Sequence, residues 1–220
     1  MSPNPLLIKK DITQSDLERI SEFGIVSVDT ELTGLNPHRD KLCLLQLCDP
    51  NKHVYLIRSE DWGMATNLRK LFEDEKIIKI FHFALIDCSF IQKNLKTEIK
   101  TPYCTKIASK IARTYTSEHS LKSLIKELLK IEIDKSQQTT DWDDYPFTEN
   151  QLKYAASDVE HLLGIKNELE RKLKVRGSLP TGITYFELNN RCQSFIPALV
   201  HLFLNGWDLG FESSQSLFSH

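Results

Sequence analysis

Apolar positions come first in short unbroken runs and later at helical spacing. Residues 24–29 (Gly-Ile-Val-Ser-Val-Asp) and 42–48 (Leu-Cys-Leu-Leu-Gln-Leu-Cys) read as two buried strands. Residues 49–52 (Asp-Pro-Asn-Lys) form a turn and 53–57 a third strand, so the three predict an antiparallel meander. A short strand at 6–9 precedes them, followed by a helix opened by a capping box at 15–18 (Ser-Asp-Leu-Glu). The pattern is helical over 61–72, strand-like over 77–81 and helical again from about 84 to 95. Helical periodicity holds over 105–113, 120–129 and 149–173, while 136–147, polar apart from its aromatics, reads as a loop. Residues 177–182 form a linker containing Pro180, and a last helix spans 185–204 with a candidate kink at Pro197. Three strands followed by alternating strand and helix predict an α/β fold, with a mixed central sheet flanked by helices.

A length of 220 residues suits one compact domain. Its core is expected over about 5–175, with a C-terminal helix and tail over about 180–220. The formal net charge of -2 speaks against a broad basic face that tracks long nucleic acid, and favours a short substrate held by metal and local contacts. The first residues carry no long apolar run and do not read as a signal peptide. No stretch approaches the ~18 apolar residues of a membrane span. Cys43, Cys48, Cys88, Cys104 and Cys192 make no C-x-x-C pair, so they read as reduced thiols of a cytoplasmic protein.

The acids change the picture. Asp29 and Glu31 sit two apart at the end of an apolar strand, which puts both side chains on one face. Two neighbouring carboxylates repel, and partial burial raises the cost. A hard divalent cation such as Mg²⁺ or Mn²⁺ resolves the conflict, because it takes oxygen ligands. The alternative is that the strand has ended and both acids are solvated. Asp87 is a single acid in an apolar run entering a helix, where a helix-dipole role competes with metal binding. Tyr154 and Asp158 are four apart on a helix and share a face. The intervening Ala155, Ala156 and Ser157 let that face lie close to other backbone.

In this order and context the residues resemble the ribonuclease D-like branch of the DEDD 3′-5′ exonucleases that carries Tyr in its third motif. The resemblance runs from about 24 to 165, through Asp29-Thr-Glu31, His82 to Asp87, Thr140-Asp-Trp142 and Tyr154-x-x-x-Asp158. A closer resemblance, over nearly the whole chain, is to the nanoRNase C oligoribonuclease family. It rests on 34–47, Phe81-His-Phe-Ala84, Cys104 to Lys110, Arg113-Thr-Tyr-Thr116, Gly206-Trp207 and Leu217-Phe-Ser-His220, and it departs around 208–216.

The resemblance implies a ribonuclease H-like fold, cytoplasmic turnover of RNA of two to five nucleotides, and a homo-oligomeric ring, an octamer. DNA remains a possible second substrate. It also implies two divalent ions, Mg²⁺ or Mn²⁺, held by Asp29, Glu31, Asp87 and Asp158. Asp29 would bridge them, Glu31 and Asp158 would share the ion that activates water, Asp87 would reach the other through water, and Tyr154 would position the attacking water.

Thr30, Thr33, Gly34 and Leu35 are implied to bind substrate, Leu35 as a wedge against a terminal base; plain packing is the alternative for Leu35. His82 would stack on a base or sugar, against the reading of a satisfied core histidine. Lys106, Lys110 and Arg113 fall on one helical face and could hold a 5′ phosphate, against a solvated basic face. Trp142 would stack on substrate or anchor its loop. Two other functions compete: tRNA 3′ trimming as in ribonuclease D, and a catalytically silent nucleic-acid-binding scaffold. The presence of all four acids and Tyr154 disfavours the scaffold.

Overall fold

The computed structural model describes residues 5–132, 141–179 and 181–206. Thr140, Pro180, Trp207 and the tail motif at 217–220 lie outside the described residues. The strands are β1 (Leu6–Lys9), β2 (Ile25–Leu32), β3 (Leu42–Cys48), β4 (Val54–Arg58), β5 (Ile78–Phe81) and β6 (Pro102–Cys104). They form a single mixed sheet in the order β1-β4-β3-β2-β5-β6. The expected meander is present: β2 pairs with β3 and β3 with β4, both antiparallel. The β1–β4, β2–β5 and β5–β6 pairs are parallel. β6, three residues long, has too short a pattern to be read from sequence.

Alternation along β2 sorts its residues onto two faces. Val26 and Val28 join a core cluster with Leu45, Leu47, Tyr55 and Ile57. Helices α1 (Gln14–Phe23), α2 (Thr66–Glu73), α3 (Ala84–Leu95) and α9 (Ile196–Leu204) pack on that side. Leu44, Cys48, Val54 and Leu56 face the other way, into a cluster with α6 (Glu149–Glu160). A third cluster joins Ile80 and Tyr103 to α4 (Thr105–Ala112), α5 (Leu121–Leu124) and α7 (Leu162–Val175).

Several boundaries differ from the sequence reading. The capping box is Thr13 with Asp16: the Thr13 side chain accepts from the Asp16 N–H, and the Asp16 carboxylate accepts from the Thr13 N–H. Residues 61–72 split into a 3₁₀ turn (Trp62–Met64) and α2. α5 continues as a π-helical turn over Ile125–Leu129. The long helix over 149–173 breaks at His161 into α6 and α7, because the first half packs on β3 and β4 and the second on α4. The last helix is two, α8 (Tyr185–Ser194) and α9. Pro197 sits in the first turn of α9, where its missing N–H leaves no gap.

Candidate active site

β2 presents Asp29 and Glu31 on the face that α6 covers, and α6 presents Asp158 toward them. One carboxylate oxygen from each of Asp29, Glu31 and Asp158 lies within 4.8 Å of the others. Small residues make this approach possible: Ala155 and Ala156 are buried in the cluster between α6 and the sheet.

Asp87 arrives from the opposite face, in the first turn of α3, and stands outside this trio. Thr30 points to that face, and its Oγ1 donates to Asp87 Oδ1 at 2.6 Å. Thr30 is thus buried, and its hydroxyl is committed to an acid.

Burial pushes the Asp29 carboxyl well above its ordinary range, and Asp87, Asp158 and Glu31 add to the push. Burial likewise raises Glu31, followed by Asp158 and Asp87. Burial lifts Asp87 to about 7, although the Thr30 hydroxyl opposes the shift. The protein therefore holds several carboxylates in a place that disfavours their charged forms. Such a donor set of hard oxygens with mutual repulsion fits a divalent cation.

The sign of the pH dependence follows. Acids with raised folded-state values stabilise the metal-free fold at low pH, and that contribution is lost as pH rises through those values. Melting in EDTA is expected to occur at lower temperature at pH 8 than at pH 5. Added Mg²⁺ or Mn²⁺ is expected to raise the midpoint more at pH 8. A metal-induced shift that is equal at both pH values would contradict this electrostatic picture.

Tyr154 lies one turn before Asp158 on α6. Burial raises its phenol above the ordinary range, with the Asp158 and Glu31 charges adding to it, so it is a neutral hydroxyl at working pH. Its ring lies 6.3 Å from that of Trp142, which packs edge-on against Phe147 at 5.6 Å. Trp142 is only 4 % exposed and anchors the loop beneath Tyr154.

The loop after β2 is tied down. Thr33 Oγ1 accepts from the Lys41 N–H at 2.9 Å, and Lys93 Nζ donates to the Pro37 carbonyl. A Cβ at Gly34 would lie 2.3 Å from an oxygen of Asp40, which itself accepts the Asn36 N–H. Any side chain at 34 would displace that carboxylate. Leu35 rides on this loop and is exposed.

Beyond β5, His82 Nδ1 lies 2.9 Å from Thr105 Oγ1, whose hydrogen goes to the Phe81 carbonyl at 3.1 Å. Both contacts are satisfied when the neutral imidazole carries its hydrogen on Nδ1. Lys106 Nζ lies 4.4 Å over the Phe83 ring, and Lys110 is exposed.

Arg113 does not share that surface. It is 1 % exposed, pairs with Glu127 through Nε and Nη2, and donates through Nη1 to Ser109 Oγ and the Glu118 carbonyl. Its guanidinium turns inward to bind the π-helical turn, a contact 14 residues away that periodicity does not reveal. Gln46 is a residue the sequence reading passed over as a plain strand position; it is fully buried beside the trio.

Residues 9–174 match the model of the 3′-5′ exonuclease family. The chain belongs to that family. Within the 3′-5′ exonucleases it is similar to NrnC of Brucella melitensis, with 36% identity and a TM-score of 0.85 over 96% of this chain and 99% of that one. NrnC has been solved with pGG bound and with Mg²⁺ bound. Ribonuclease D of Escherichia coli K12 is 28% identical over 81% of this chain and 47% of its own length. The corresponding structure, of an exoribonuclease involved in structured RNA processing, has a TM-score of 0.72 at 26% identity, covering 92% of this chain and 51% of that one. The chain spans about half the length of the curated relatives it matches, whereas it spans all but a few residues of NrnC. Among the described residues no helix is long and apolar enough to cross a membrane.

Proposed function

We propose that the chain is an oligoribonuclease that hydrolyses RNA of two to five nucleotides, dinucleotides above all, from the 3′ end to nucleoside 5′-monophosphates. The observation that carries this reading is the trio of Asp29, Glu31 and Asp158 within 4.8 Å, with Asp87 set apart beyond it. The trio would hold one Mg²⁺ or Mn²⁺, and Asp87 with Asp29 a second. Bound there, such cations polarise the phosphate and lower the pKa of water.

The protein's own groups supply the rest. The neutral Tyr154 hydroxyl orients the water that attacks phosphorus. Water gives up one proton as its oxygen bonds to phosphorus, the P–O3′ bond breaks, and the departing 3′ oxygen takes up a proton, so that one water is consumed. Leu35, exposed on a loop fixed by Thr33, Gly34 and Asp40, is placed to abut a base at the substrate terminus. His82 and Lys106 are the candidate contacts to sugar and phosphate.

The pGG bound by NrnC, a protein similar over nearly its whole length, supports the short substrate. From the family resemblance of the sequence, the protein would be a cytoplasmic ring-shaped homo-oligomer. The likeness to ribonuclease D, an exoribonuclease involved in structured RNA processing, supports a second reading, for which the sequence suggested trimming of tRNA 3′ ends. Incubation of a 5′-phosphorylated dinucleotide with the protein and Mn²⁺ is expected to yield mononucleotides, and EDTA to stop the reaction. A dinucleotide left intact with the metal present would overturn the proposal.

A further inference from the structure

β3 reads Leu-Cys-Leu-Leu-Gln-Leu-Cys and is buried along its whole length. Gln46 is therefore an amide in an apolar strand, costly to bury unless both of its ends are paired. The strand register sets Gln46 directly opposite Asp29, so both side chains leave the same face, about 5 Å apart at Cβ.

Gln46 Nε2 donates to Glu31 Oε1 at 3.3 Å. Once a cation holds Glu31 ionised, the carboxylate has only acceptors, so this contact keeps the N–H end of the amide facing Glu31. The other end, Oε1, is buried without a hydrogen-bond partner among the described residues. With a cation bound, Asp29 and Glu31 are ionised and have no donor to offer it. A hydrated divalent cation carries water donors into this place.

Glu31 also needs restraint. Asp158 and Asp87 repel its charge, whereas the Gln46 amide is the contact that favours it. Without that amide, Glu31 is free to turn away from the other acids.

We propose that Gln46 is a positioning residue for the cation. Its N–H holds Glu31 turned toward Asp29 and Asp158, and its buried oxygen accepts from hydration water that arrives with the ion. This inference rests on the reading of the trio as a divalent-cation site.

The test is Mn²⁺ binding to the full chain, followed by the loss of the free-ion electron paramagnetic resonance signal, with no RNA present. Wild type, Gln46→Met and Asp158→Asn are compared, and each is melted in EDTA. Gln46→Met is expected to bind Mn²⁺ about tenfold or more weakly. Its metal-free midpoint should equal or exceed that of wild type, because a buried unpartnered acceptor is gone. A Gln46→Met protein that binds within twofold of wild type, while Asp158→Asn has lost binding, overturns the role of Gln46 and leaves the cation site standing. Asp158→Asn binding as wild type does overturns the cation site and this inference with it. Should Gln46→Met fail to fold, Gln46→Asn answers instead. It keeps an amide but falls one methylene short of Glu31, so the same weakening is expected, and wild-type affinity would overturn the proposal.

Discussion

Replacing Asp29 with Asn is expected to abolish hydrolysis and at the same time to stabilise the metal-free protein. Asp29 is the acid on which burial and three neighbouring carboxylates act together. Asn keeps the shape and removes the charge. A cation contributes several kcal/mol to a transition state that gathers charge on phosphate oxygens, and about 4 kcal/mol corresponds to about a thousandfold in rate. A loss of at least about a thousandfold is the expected outcome with Mg²⁺ or Mn²⁺ at saturation. The stability change has the opposite sign. Above its raised folded-state value, ionised Asp29 costs folding free energy, and Asn removes that cost. A gain of about 1 kcal/mol would lift the midpoint by about 2–4 °C for a chain of this size. The gain should be larger at pH 8 than at pH 5, because the cost fades as pH falls through the raised value of Asp29. An active Asp29→Asn protein, or one that melts lower in EDTA at pH 8, would contradict the account.

Tyr154→Phe separates chemistry from assembly of the site. The ring stays, so its contact with Trp142 and the packing of Phe147 beneath are kept. Only the hydroxyl is lost. Burial and the Asp158 and Glu31 charges hold that phenol neutral, and the role proposed for it is to orient water. Loss of one positioned hydrogen-bonding group of this kind costs about 10²–10³-fold. A fall in turnover of at least about a hundredfold is expected, with Mn²⁺ affinity unchanged and melting in EDTA near that of wild type. Turnover within twofold of wild type would remove Tyr154 from the reaction.

The acid pair on β2 was legible because strand alternation is a local rule: Asp29 and Glu31 had to share a face once the strand was read. Asp158 and Tyr154 were legible for the same reason on a helix. What stayed hidden depends on contacts distant in sequence. Thr30 looked like part of a substrate motif, yet its hydroxyl serves Asp87, 57 residues on. Arg113 carries the same helical phase as Lys106, yet Glu127 draws it inward. The break at His161 escaped notice because apolar spacing continues across it while the packing partner changes from the sheet to α4. Gln46 was invisible as a polar position because the strand around it is apolar, and only the register with Asp29 reveals its neighbours.

The central claim, metal-dependent removal of nucleotides from very short RNA, meets its most direct test in a time course. End-labelled RNAs of two to seven nucleotides are incubated with the protein and Mg²⁺, and every chain length is followed. The account predicts that the dinucleotide disappears fastest and that nucleoside 5′-monophosphates accumulate. A dinucleotide that builds up untouched while longer RNAs shorten would contradict it and favour ribonuclease D-like trimming.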